Sequence, residues 1–296
     1  MMLGNSAQRS RLKLVAERVL PTLEGGELKD AMAAWLEGFN VHEHTRDRAD
    51  RLADALKTAD LSNPDLAELD RRSDYLVRAS QWVTCGDGCA YDIDYGGLDQ
   101  VLASGENINV FVMDTEVYSN TGGQSSKATP AAAIAKFAAT GKRNKKKDLG
   151  AMAMTYGYVY VAQVAMGADK NQTLKAIREA ESYDGPSLII GYCPCINHGL
   201  KAGMSESQNQ QKRAVECGYW HMYRFDPRRK EEGLNPFQLD SKEPAADMKE
   251  FMLSEVRYAS LAKKYPAEAD QPFEKAKNDA KERLDYYKMM ASSYQA

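Results

Sequence analysis

Four near-continuous apolar runs mark the middle of the chain: Trp82-Val83-Thr84-Cys85 after Gln81, Asn109 to Asp114, Tyr158 to Val161, and Ser187 to Tyr192. Strands buried on both faces of a parallel sheet read this way, because neither face alternates with polar residues. Between them lie stretches of helical spacing, about Leu98 to Ala103, Ala131 to Ala139 and Gln172 to Ser182. Alternation of strand and helix predicts an α/β fold, a doubly wound and mostly parallel sheet. Tyr219 to Phe225 offers a further strand. Both flanks are helical. Before the sheet, Leu28, Met32, Trp35, Leu36 and Phe39 recur at helical intervals, and Leu52, Ala53 and Leu56 continue the pattern in a highly charged segment. Asn63-Pro64 is a helix start, with proline at the first helical position. After Pro244 the pattern is helical again, over Met248–Lys264 and Phe273–Met290. The expected organisation is a helical layer over 1–78, an α/β domain over 79–245 and a helical extension over 246–296.

Charge narrows the function classes. The net charge of −3 gives no basic face for nucleic acid. No apolar run reaches the roughly 18–20 residues of a membrane span, and Met1 to Lys13 lacks the apolar stretch of a secretory signal. The expected location is the cytoplasm. Five cysteines, an odd number without a C-x-x-C pair, do not make a disulfide scaffold or a zinc ribbon.

Two loops at predicted strand ends carry the chemistry. One is Gly86-Asp87-Gly88-Cys89-Ala90; the other runs from Asp114 through Thr115, Glu116, Val117, Tyr118, Ser119, Asn120 and Thr121 to Gly122-Gly123. In open α/β sheets ligands bind beyond the carboxyl ends of the strands. A diphosphate there needs a hard cation, and magnesium takes oxygen ligands in near-octahedral geometry. Asp87 supplies a carboxylate, and flanking glycines admit phosphates close to the backbone. Thr115 follows Asp87 by 28 residues, the length of strand end, crossover helix and next strand end. That spacing makes the loops neighbours, so Thr115 can add a hydroxyl and Val117 a carbonyl. Alone, Gly-Asp-Gly is also an ordinary turn; the second loop at the expected distance distinguishes the two readings.

These residues resemble a known family. Gly86-Asp87-Gly88 followed by an asparagine-bearing loop is similar to the thiamine-diphosphate motif. The runs 86–99, 102–110, 114–130, Cys193-Pro-Cys-Ile-Asn-His-Gly199 and 210–220 resemble the pyruvate:ferredoxin/flavodoxin oxidoreductases, over about residues 75 to 245. The resemblance implies a thiamine-diphosphate-binding fold, with magnesium held by Asp87, Thr115 and the Val117 carbonyl. Gly86, Asp87, Gly88 and Cys89, with Thr115, Glu116, Val117, Tyr118, Ser119 and Asn120, would line the cofactor. Asn120 would lie near its reacting carbon, as the catalytic residue. Cys195 would be one of four ligands to an iron–sulfur cluster of the 4Fe–4S type. Position 89, usually tryptophan in the family, is cysteine here, which leaves its contact to the backbone.

The implied activity is coenzyme A-dependent oxidative decarboxylation of pyruvate, with electrons leaving through iron–sulfur clusters to ferredoxin or flavodoxin. The family's other three ligands to that cluster lie upstream of the Gly-Asp-Gly loop, and this chain has no cysteine before Cys85. The resemblance therefore implies one portion of a larger enzyme, a homodimer when whole, that needs further domains and is inactive alone. Two alternatives are a separate β subunit of a 2-oxoacid:ferredoxin oxidoreductase and a non-oxidative thiamine-diphosphate decarboxylase; Cys195 disfavours the second. Other residues have plainer readings. His198 beside a turn is expected to be a satisfied structural histidine rather than a base. Cys85, Cys193 and Cys217 read as small core hydrophobes. The run from Lys142 to Lys147 reads as a solvated loop, the alternative being steering of coenzyme A or an acidic electron carrier. Tyr91, Asp92 and Tyr95 sit just past the first loop, and Asp92 fits a helix N-terminus.

Overall fold

A computed structural model describes residues 2–292. The chain forms two compact units, 1–81 and 82–296. The first contains four α-helices: α1 (Met2–Val19), α2 (Glu27–Glu37), α3 (Thr45–Leu56) and α4 (Pro64–Arg71). Its own core gathers Leu12, Val15, Met32, Trp35, Leu52, Leu56 and Leu69. The predicted start of α4 is observed. Asn63 caps it by accepting from the Asp65 N–H, and Pro64 occupies the first turn, where no N–H is needed.

The second unit is built on a six-stranded sheet. Its strands are β1 (Trp82–Gly86), β2 (Asn109–Asp114), β3 (Tyr160–Val164), β4 (Ser187–Tyr192), β5 (Tyr223–Phe225) and β6 (Phe237–Leu239). Their spatial order is β1-β2-β4-β3-β5-β6. The first four are parallel, whereas β5 and β6 run antiparallel at the far edge. Every residue of β4 is buried, which accounts for its unbroken apolar run. β1 is the other edge and is largely exposed. Helices α5 (Tyr95–Ala103), α6 (Leu149–Met154), α7 (Lys170–Ser182) and α8 (Ser207–Glu216) complete the alternation. The fold is α/β with a mostly parallel sheet, as the apolar pattern predicts.

Three differences from the pattern matter. Ala131–Ala139 is not a helix. Pro130 precedes it, Ala132 (φ 70°) and Phe137 (φ 67°) are left-handed, and its backbone bonds reach outward: Ala132 N–H to Lys142 O, Ile134 N–H to Arg257 O, Lys136 N–H to Gly123 O. Alanines with high helix propensity are overridden there by burial of 131–133 in the core. The strand expected over Tyr219–Phe225 narrows to Tyr223–Phe225. Finally, α9 (Met248–Leu253), α10 (Val256–Lys264) and α11 (Asp270–Ser292) pack Phe251, Tyr258, Leu261, Phe273 and Tyr287 into the same core as Val161, Leu188 and Ile190 of the sheet. Among the described residues no helix is long and apolar enough to cross a membrane.

Candidate functional site

Parallel strands end at a common edge, so the segments following β1, β2 and β4 emerge side by side. The ladder pairs Gly86 with Met113, and Asp114 with Tyr192. Asp87, Thr115 and Cys193 are therefore neighbours by register before any side chain is considered.

The side chains converge as the spacing predicts. Asp87 is buried. Its Oδ1 accepts from Thr115 Oγ1 at 2.7 Å and its Oδ2 from Ser126 Oγ at 2.6 Å. Thr115 Oγ1 also lies 2.9 Å from the Val117 carbonyl and 2.7 Å from Ser119 Oγ. Magnesium–oxygen distances of about 2.0–2.1 Å make the edge of the ligand octahedron about 2.9 Å long. Carboxylate, hydroxyl and carbonyl oxygens thus already stand at edge-like separations, and the donor set is all oxygen. Burial first, and the nearby Asp114 carboxylate second, push Asp87 up to about 6, against hydrogen bonds from Ser126 and Thr115. A buried carboxylate of this kind is favoured by a cation. Among the described residues no three or more His, Cys, Asp or Glu gather as a metal site.

Glu116 is at the centre of the second loop. Its φ of 58° is left-handed, and its backbone is pinned by Glu116 N–H to Asp114 Oδ1 (3.0 Å) and by Thr129 Oγ1 to Glu116 O (2.6 Å). Its carboxylate is buried and accepts from Lys146 (2.9 Å), Arg257 (2.7 Å) and the Tyr219 hydroxyl (2.6 Å). Burial would raise this carboxyl; Lys146 and Arg257 outweigh it and hold it at about 2. Lys146 also binds Asp114 at 2.6 Å. The basic run is thus not wholly solvated: Lys146 is a buried strut beneath the second loop, because two buried carboxylates require a cation there.

The glycines are sterically required at one point. A Cβ on Gly88 would stand 2.4 Å from the Tyr118 ring, so the first loop accepts the ring only because position 88 has no side chain. Gly86 is exposed with open space around it, Cys89 is half-buried, and Asn120 is exposed on the second loop. Cys195 stands beside the same loop. Its Sγ accepts from Ser119 Oγ at 3.3 Å, and its N–H donates to His198 Nδ1 at 3.0 Å. A hydroxyl pair, Thr115 and Ser119, therefore connects Asp87 to Cys195.

His198 is fully buried and braces the Cys195 turn. Cys217 is buried, but Cys193 and Cys85 are only half-buried. Asp92 does not cap a helix; it accepts from the Lys127 N–H and pairs with Lys127 Nζ at 2.6 Å. The buried Tyr91 donates to Asp114 at 2.8 Å. Ser126, Thr129, Tyr219 and Arg257 were not legible as site residues. Ser126 lies within a run of small polar residues with no distinguishing spacing, and Arg257 reaches Glu116 across 141 positions.

Residues 75–190 match the family described as the thiamine pyrophosphate enzyme, C-terminal TPP binding domain. Relatives include a pyruvate-flavodoxin oxidoreductase of Klebsiella pneumoniae, 58% identical over 98% of this chain and 25% of its own length. Another, of Enterobacter agglomerans, is 54% identical over 99% of this chain and 25% of its own length. A pyruvate:ferredoxin oxidoreductase of Moorella thermoacetica is 52% identical over 98% and 25%. The chain spans about a quarter of the length of these relatives. By these matches residues 75–190 belong to the thiamine pyrophosphate enzyme C-terminal domain family, and the chain corresponds to a portion of these oxidoreductases.

Proposed function

We propose that this chain supplies the magnesium and diphosphate half of a thiamine-diphosphate pocket in a pyruvate:ferredoxin or pyruvate:flavodoxin oxidoreductase. The observation that carries the reading is the meeting of Asp87, Thr115 Oγ1 and the Val117 carbonyl at 2.7–2.9 Å, from two loops 28 residues apart. In this reading the three oxygens would hold magnesium, which would supply the positive charge that a diphosphate needs. When bound, thiamine diphosphate supplies the carbon centre that adds to the 2-oxo group of pyruvate and stabilises the charge left by departing carbon dioxide. The chain's own groups bind and orient. Ser126 fixes the Asp87 carboxylate, and Gly88 with Tyr118 shapes the wall. Asn120, exposed on the same loop, would lie near the cofactor's reacting carbon. Cys195 contributes one thiolate to an iron–sulfur cluster, one hydroxyl away from Thr115. Coenzyme A, the electron acceptor and the remaining cluster ligands come from outside this chain, so it does not oxidise pyruvate alone.

Calorimetric titration of the chain with thiamine diphosphate tests this, with and without magnesium, beside Asp87→Ala. Saturable, magnesium-dependent binding is expected in the parent and at least about tenfold weaker binding in the variant, the loss of one charged ligand. Equal binding by both folded proteins would overturn the assignment of Asp87.

A further inference from the structure

A second hollow lies in the same unit, between the 142–148 segment and α11. It measures about 750 Å³, within the roughly 300–1,000 Å³ of ordinary ligand pockets. Its wall carries Lys142, Lys147 and Arg283, with the Tyr286 ring, 44% exposed, on the helix side.

The charges on this wall do not cancel. Each acid there has its own partner. Asp148 caps α6 and accepts from Tyr287; Asp279 accepts from Lys275 at 3.1 Å; Glu282 stands 3.9 Å from Lys145. Of the cations lining the hollow, Lys127, Lys145 and Lys146 pair with Asp92, Glu282 and the carboxylates of Asp114 and Glu116, whereas Lys142, Lys147 and Arg283 have neutral partners or none. Lys142 donates to the Ser126 carbonyl. Lys147 donates to the Tyr91 carbonyl at 3.2 Å and lies 3.2 Å from the centre of the Tyr95 ring. Arg283 makes no hydrogen bond or ion pair among the described residues. Two of these groups are partly desolvated: burial lowers Lys142 to about 8 and also lowers Lys147. Half-buried ammonium groups without a carboxylate are costly, and an anion in the hollow offsets that cost through charge-assisted hydrogen bonds.

We propose that this hollow is an anion pocket for an oligophosphate, free or carried on a nucleoside, separate from the magnesium site around Asp87. Phosphate chemistry fits because Arg283 can bind it bidentately while Lys142 and Lys147 act as point charges. Tyr286 offers a face on which a base can stack. The pocket and its charges stand whether or not Asp87 holds magnesium.

The test is calorimetry on the 296-residue chain in chelator-containing, low-salt buffer, with tripolyphosphate in one arm and ATP in the other. Parent, Asp87→Ala and Lys142→Met/Arg283→Met chains are compared, each checked for a normal thermal transition. Binding that survives Asp87→Ala, falls about tenfold or more in the double variant and weakens with salt supports the pocket. Tyr286→Ala then separates the sources: loss confined to ATP identifies a nucleotide, and equal binding of both probes a free oligophosphate. No saturable binding of either probe overturns the proposal. So does binding untouched by the double variant, or abolished by Asp87→Ala, which assigns it to the magnesium site. Binding of a polyglutamate peptide alone, lost in the double variant, overturns the ligand class. Failure of thiamine-diphosphate binding in the earlier titration leaves this result standing.

Discussion

At the scale of single residues, titration separates groups that look alike in the sequence. Three of the four histidines, His42, His198 and His221, have a buried ring nitrogen without a hydrogen bond to the described protein atoms, although His42 has other interactions. His221 is 2% exposed and packs edge-on against Tyr287. Burial first, then Arg283 and Lys288, hold it down at about 3. The sign follows: between the unfolded value of about 6.5 and the folded value, the unfolded chain binds a proton that the native chain refuses. Stability is therefore full above pH 6.5 and falls as pH drops toward 3. From pH 6.5 to pH 5 the loss from this residue is about 2 kcal/mol. His221→Phe, which keeps a ring against Tyr287, should lose that much less than the parent when urea midpoints at the two pH values are compared. Equal losses in both proteins would remove His221 as the cause. His198 has the same sign, but contributes equally to both proteins. The meeting of Asp87 and Thr115 was legible because the 28-residue spacing brings two strand ends side by side. The burial of His221 was not, since a histidine between apolar residues carries no signal of what packs over it.

At the scale of elements, legibility followed the periodicity. β4 was readable because burial on both faces leaves an unbroken apolar run, β2 because its apolar run persists although Met113 is exposed, and α7 because its polar face is unambiguous. Ala131–Ala139 was misread because its alanines serve a buried, non-repetitive segment, where backbone partners come from distant residues. The basic run was half misread for a related reason. Charge runs reveal solvation on average, and nothing local distinguishes Lys146, whose side chain is 7% exposed, from Lys145, which is 69% exposed. Lys146 joins the end of β2 to the loop that follows it by bonding both Asp114 and Glu116. Lys146→Met would leave Asp114 with the Tyr91 hydroxyl and the Glu116 N–H, and Glu116 with Arg257 and Tyr219, no cation remaining on Asp114. Breaking a buried ion pair at one partner costs about 3–5 kcal/mol, so a drop of that order in chemical denaturation is expected, with weaker magnesium-dependent cofactor binding. Lys145→Met, the exposed comparison, should stay within about 0.5 kcal/mol. A Lys146→Met chain as stable as its exposed counterpart would show that the strut carries no net stability.

For the whole molecule, the two units have separate cores of different kinds. Residues 1–81 bury a helical core around Trp35, Leu52 and Leu69, while 82–296 bury the sheet together with α9, α10 and α11. Every residue assigned here to magnesium, diphosphate or the cysteine ligand lies in the second unit, from Asp87 to Cys195. The C-terminal helices belong to that unit through the site itself: Arg257 of α10 bonds Glu116, and Val256 N–H bonds Gly199 O beside the Cys195 turn. Cutting the chain before Trp82 should therefore leave a folded protein that binds thiamine diphosphate with magnesium as the full chain does. Cutting before Asp247 should abolish folding or binding, because it removes Arg257 from a buried Glu116 and takes Phe251, Tyr258 and Phe273 out of the core. Circular dichroism and the same calorimetric titration on both truncations give the reading. Loss of binding in 82–296 with folding intact would place an essential cofactor contribution in the first eighty-one residues, where the sequence has no phosphate or metal motif.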